Sequence, residues 1–119
     1  RTLQKIKDAG AKAGIALNPG TSFETVKELL YLCDYVMLMS VNPGFAGQKY
    51  LDFVTPKFRQ FVDAASNYGG YQVMIDGACS PEKIAMLSKV GVKGFILGTS
   101  ALFGKEKSYK EIITELRKL

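Results

Sequence analysis

Two groups of residues in this sequence could do chemistry. The first is Asp76, which closes the apolar run Val73-Met74-Ile75 and is followed by Gly77 and Ala78. No other carboxylate ends a buried strand pattern. A carboxylate partly withdrawn from water there can act as a general acid or base, ligate a metal ion, or make an Asp-Gly turn. The second group is a set of glycine loops. The run Met37-Leu-Met-Ser-Val41 leads into Asn42-Pro-Gly-Phe-Ala-Gly-Gln48, and Gly94-Phe-Ile-Leu97 leads into Gly98-Thr-Ser100. A glycine lets backbone N–H groups approach an anion without a side chain in the way. Gly44 to Gly47 and Gly98-Thr99-Ser100 therefore read as phosphate grips or as tight turns, and glycine clusters at three successive strand ends favour a ligand site. Alternation puts Met37 and Met39 on one side of their strand, Met37 as core filling and Met39 as a polarisable contact near the ligand.

What the chain lacks narrows the chemistry. It has no histidine, which removes Ser-His-Asp and Cys-His catalysis and His-ligated metal sites from these 119 residues. No lysine stands at a strand end, which argues against Schiff-base chemistry. Cys33 and Cys79 form no CxxC pair, so a reduced, cytoplasmic protein is the expectation. Cys33 reads as a core residue at a helix end, and Cys79 as a residue able to line the loop that it follows.

The elements that must position these residues follow from periodicity and caps. Helices are expected over Thr2 to Ala13, stopped by Gly14, and from a Thr21 or Ser22 cap through Phe23, Val26, Leu29, Leu30 and Cys33. Others are expected from Phe53 or Pro56 to Tyr68, from Ser80-Pro81 to Gly91, and from Ser108 to Lys118. A short helix is also conceivable at Ala101-Leu-Phe103, its N-terminus facing an anion. Strands are expected at Gly14 to Leu17, Asp34 to Val41, Tyr71 to Ile75 and Gly94 to Leu97. Asp34, at the amino end of its strand, reads as structural. The order α-βα-βα-βα-βα, with near-continuous apolar strands, predicts a parallel α/β sheet with right-handed crossovers and ligands at the carboxyl ends of the strands.

Bulk properties agree. Apolar residues make up 47% of the chain, which excludes a disordered polymer. No apolar run nears the roughly 20 residues that span a bilayer, and the basic, amphipathic start has no signal-peptide pattern. The net charge of +5 fits a lysine-rich surface or attraction of anionic substrates. The lysines are scattered rather than striped among aromatics, so no nucleic-acid partner is expected. The chain has no initiating Met and begins within a helix, which suggests a longer natural protein.

Met39-Ser-Val-Asn-Pro-Gly-Phe-Ala-Gly-Gln48 resembles the signature of the ribulose-phosphate 3-epimerases. Lys12 to Thr21, Val73-Met-Ile-Asp-Gly77 and Gly98-Thr-Ser-Ala-Leu-Phe103 resemble that family's fifth, seventh and eighth strands with their loops. The resemblance implies a TIM (β/α)8 barrel of which residues 1–119 are the C-terminal half, about the last four βα units. It implies inversion at carbon 3 of a ketose phosphate by two aspartates and a divalent metal, zinc first, with Mn, Fe or Co as alternatives. Asp76 would then be one acid/base and a metal ligand, and Met39 would pack over the enediolate. Gly44, Phe45, Ala46, Gly47, Gly77, Ala78, Gly98 and Thr99 would surround the sugar phosphate. The family's second aspartate and its two histidine ligands come from earlier strands that have no counterpart here, so these residues alone are expected to be inactive. Association into a homo-oligomer is expected. The pairs Asp-Gly-Gly and Gly-Ser of the family stand here as Asp76-Gly77-Ala78 and Gly98-Thr99, closer to the allulose 6-phosphate 3-epimerase branch. A non-catalytic half-barrel that only binds phosphorylated ligands is the third possibility.

Overall fold

The computed structural model describes every residue except Pro43, Phe45 and Ala46. Four strands, β1 (Gly14–Leu17), β2 (Tyr35–Met39), β3 (Gln72–Asp76) and β4 (Gly94–Ile96), form one sheet in sequence order. All neighbours are parallel. Helices α1 (Thr2–Asp8), α2 (Phe23–Val26), α3 (Thr55–Ala64), α4 (Pro81–Val90) and α5 (Tyr109–Leu116) lie between and around them. This is the α/β order expected from the pattern of caps and apolar strands.

The two faces of the sheet differ. Val36, Leu38, Val73 and Ile75 point to the helices and join Leu30, Phe58, Phe61 and Leu87 in one core. Phe61 is its aromatic centre, edge-on to Phe23 at 5.1 Å and taking a hydrogen bond on its carbonyl from the Tyr71 hydroxyl. Burial pushes the Tyr71 phenol up to about 12. Met37, Met39, Met74 and Asp76 alternate onto the other face and are only half-buried. There Tyr35 lies across Gly14, and Met74 across Gly94: a Cβ on either glycine would meet those side chains at 2.2 and 2.5 Å. A doubly wound sheet carries helices on both faces, whereas a barrel wall carries them on one. The chain exposes 7399 Å², where a folded protein of its mass exposes about 6,300 Å². Much of the uncovered inner face is apolar, including Ile96 at 44% exposure.

Several elements depart from the sequence expectation. α1 ends at Asp8 rather than Ala13, because Gly10 turns left-handed at φ +88° and Ala11 N–H closes onto the Ile6 carbonyl. The helix expected to reach Cys33 is one α turn followed by a 3-10 stretch, Lys27–Leu32. Val26 ends the α turn with φ widened to −119°, and the tighter repeat that follows brings Leu30 and Cys33 inward while Leu29 stays exposed. Ser22 does not bond the helix backbone; its hydroxyl pairs with Thr25 instead. The α3 segment is flanked by 3-10 turns and ends before Gly69 and Gly70, both at positive φ. α4 follows its signals closely, with Ser80 accepting from Lys83 N–H, Pro81 first and Gly91 left-handed at the end.

Asp34 has the structural role expected. Its carboxylate accepts the Ala13 N–H at 2.7 Å, and its N–H donates to the Ala13 carbonyl at 2.7 Å. Replacing it with alanine strands the Ala13 donor and should lower unfolding stability by about 1–3 kcal/mol. Chemical denaturation of Asp34→Ala checks this, and an unchanged midpoint would show that the pair is dispensable.

Candidate active site

Because the sheet is parallel, all four strand-end loops emerge at one end. Met39 and Asp76 are register partners there, and Ile96 is the next partner across. Adjacent strands lie about 4.8 Å apart, so the thioether and the carboxylate occupy neighbouring places on the open face. Among the described residues the Asp76 carboxylate makes no hydrogen bond or ion pair, and it is half-buried. It is therefore free to meet a ligand, which is what an acid/base or a metal ligand needs.

The turn after Asp76 is unusual. Gly77 has φ +123° and Ala78 has φ +49°, the one positive φ on a non-glycine residue among those described. A left-handed alanine is disfavoured by about 1–2 kcal/mol. Gly77 is also crowded: a Cβ there would lie 2.8 Å from the Ser40 hydroxyl and 2.8 Å from Val41. The Asp76 turn thus sits directly on the start of the glycine loop.

In that loop Gly44 and Gly47 adopt positive φ, +141° and +82°, and a Cβ on either would meet nothing within 4 Å among the described residues. Phe45 and Ala46, expected to surround the substrate, lie outside the described residues. Gln48 bonds the Asn42 carbonyl, bridging the two ends of the loop. Gly98 lies two residues beyond β4, and among the described residues nothing would lie within 4 Å of a Cβ there. The short helix conceivable at 101–103 is instead a turn in which the N–H groups of Ala101, Leu102 and Phe103 converge on the Gly98 carbonyl. With one carbonyl taking all three donors, no helical ladder can grow. Thr99 is exposed.

Cys79 does not line the open site. It is buried in the helix-side core, and burial pushes its thiol up to about 11, so it stays protonated at neutral pH. Cys33 is buried as expected, and both thiols are unpaired. Two residues that the sequence reading passed over also hold the loops. Lys57 donates to the Asn18 and Pro19 carbonyls at 3.0 and 3.3 Å, pinning the β1 loop to α3, and desolvation lowers its pKa. Ser40 lies fully buried beneath the Asp76 turn. Its one signal in sequence is a lone hydroxyl inside an apolar strand.

The expected metal meets a partial site. Among the described residues no three Cys, Asp or Glu side chains are grouped as ligands. Protein metal sites use three or four. Asp76 offers one, so these residues alone do not fit a metal. No described helix is long and apolar enough to cross a membrane.

Comparison with known proteins agrees with this geometry. The model of the ribulose-phosphate 3-epimerase family matches residues 1–103. The ribulose-phosphate 3-epimerase of Aquifex aeolicus is 41% identical over 120 residues, covering 100% of this chain and 52% of its own. That of Bacillus subtilis is 36% identical, covering 98% and 54%. The chloroplastic ribulose-5-phosphate-3-epimerase of Arabidopsis thaliana is 35% identical, covering 98% and 41%. The chain spans about half the length of the curated relatives it matches. With a one-sided parallel wall, a carboxylate at its carboxyl edge and glycine loops around it, the chain belongs to the ribulose-phosphate 3-epimerase family.

Proposed function

We propose that this chain forms the C-terminal half of a (β/α)8 ketose-phosphate 3-epimerase that interconverts D-ribulose 5-phosphate and D-xylulose 5-phosphate. The observation that carries this reading is Asp76, unpaired beside Met39 at the carboxyl edge of the open face. The C3 proton of a ketose is acidified by the C2 carbonyl. Asp76 takes that proton, or returns one, on one face of C3, and a base from outside these residues serves the other face. Met39 gives the planar enediolate a dry, polarisable neighbour, and Gly44 and Gly98 leave room for the phosphate. The positive chain draws the dianion in. A divalent metal, zinc first, enters the reading as a group to which Asp76 would give one oxygen, its other ligands lying outside this chain.

The test is turnover in D2O with the remaining βα units supplied. Epimerisation accompanied by solvent deuterium at C3 supports the two-base reading, and its absence overturns it. Running D-allulose 6-phosphate beside D-ribulose 5-phosphate decides between the two substrates. The uncovered inner face favours a second reading, in which half-barrels associate as a homo-oligomer and bind phosphorylated ligands without turnover. The two buried, unpaired thiols fit a reducing, cytoplasmic setting.

Gly98→Ala separates ligand from fold. Its φ lies outside the left-handed region and a Cβ meets no described residue within 4 Å, so stability should be unchanged or raised by up to about 1 kcal/mol. If phosphate approaches that backbone, affinity for orthophosphate should fall about tenfold, as for one lost charge-assisted hydrogen bond. Titration calorimetry and thermal melting read the two effects, and unaltered affinity would remove Gly98 from the phosphate site.

A further inference from the structure

Ser40 is the one polar residue among those described that is buried to 0% exposure. Each of its polar groups is used to join two loops. Its N–H donates to the Asp76 carbonyl at 3.1 Å, continuing the strand ladder. Its carbonyl accepts the Leu51 N–H at 2.8 Å, which closes the neck of the loop over residues 41–50. Its hydroxyl donates to the Gly77 carbonyl and lies 3.4 Å from that of Asp76. The first two bonds need only a backbone. The third needs a hydroxyl, and it reaches a residue beyond the end of the ladder.

That residue belongs to the strained turn. Gly77 holds positive φ without cost, but Ala78 beside it does not, and a left-handed alanine persists only where its surroundings enforce it. The other contact to the Gly77 carbonyl is the weak donor Cys79 Sγ, at 3.9 Å. We propose that Ser40 is a positioning residue of the site: its hydroxyl holds the Gly77 carbonyl and so fixes the Asp76–Ala78 turn against the neck of the glycine loop. This rests on the reading above that the two loops share one phosphorylated ligand.

The test uses the 119-residue chain, amide NMR and titration with orthophosphate. In Ser40→Ala the Gly77 and Ala78 amides should shift and exchange faster, and phosphate affinity should fall about three- to tenfold, the worth of one net hydrogen bond. Ser40→Thr keeps the hydroxyl and should restore both. Unmoved Gly77 and Ala78 amides in folded Ser40→Ala overturn the proposal, as does a folded Ser40→Thr that behaves like alanine. If Ser40→Ala fails to fold, Ser40→Cys fills the same space with a weaker donor and must displace the same amides; their constancy there overturns it equally. Wild-type protein that ignores orthophosphate, while Ser40→Ala still moves the turn, supports the positioning role and removes the shared-ligand reading.

Discussion

Asp76→Asn is expected to lower epimerisation in the assembled enzyme by about 10²–10⁴-fold, the usual contribution of a general acid or base. Asparagine matches aspartate in size but cannot accept the C3 proton. The backbone of the site is untouched by the change. The Asp76 carbonyl accepts from Ser40 N–H, and an asparagine carbonyl does the same. The carboxylate itself makes no hydrogen bond or ion pair among the described residues, so no structural partner is lost. Stability and phosphate affinity should therefore hold while kcat falls. Steady-state kinetics with calorimetric phosphate binding checks this, and retained turnover would end the role assigned to Asp76. Asp34 is the contrasting case: its carboxylate is tied to Ala13, and its loss should cost stability without touching the chemical step.

The second large effect is on folding. Gly77→Ala should destabilise the chain by about 2–5 kcal/mol, combining a disfavoured backbone conformation with overpacking. At φ +123° a side chain is strained whatever the space, and here there is none. The added methyl would lie 2.8 Å from both Ser40 Oγ and Val41 Cγ2. Ser40 is fully buried and Val41 nearly so, which leaves neither much room to retreat. For a domain whose total stability is about 5–15 kcal/mol, the melting temperature should drop by roughly 10–30 °C. Gly44→Ala and Gly47→Ala are the controls, since a Cβ at either meets no described residue within 4 Å. They should cost only the backbone strain, about 1–3 kcal/mol each. Thermal and urea denaturation distinguish the cases, and a Gly77→Ala melt equal to that of Gly44→Ala would rule out the crowding at Gly77.

What could be read from the chain was local. Ser80, Pro81 and Gly91 bound α4 through interactions within a few residues, and the structure keeps those bounds. The apolar runs set four parallel strands, and alternation set which side chains share a face, which places Met39 and Asp76 toward the ligand end of the sheet, where the register pairs them. Misreadings were also local. Gly14 is read as the stop of α1, but the left-handed turn at Gly10 ends it earlier. The segment after Phe23 reads as one α-helix, yet from Lys27 to Leu32 it tightens to a 3-10 repeat, which decides that Leu29 is exposed.

The sequence by itself determined the order of elements, the parallel sheet, the carboxylate at its edge and the glycines beside it. These rest on backbone propensity and side-chain periodicity, which act over a few residues. Tertiary structure alone decided that Cys79 turns into the core, that Lys57 pins a loop 38 residues away, and that Ser40 bonds a carbonyl 37 residues away. Those outcomes depend on which loops the folded sheet brings together, and a hydroxyl or an ammonium carries no mark of a distant partner until burial removes water as the alternative.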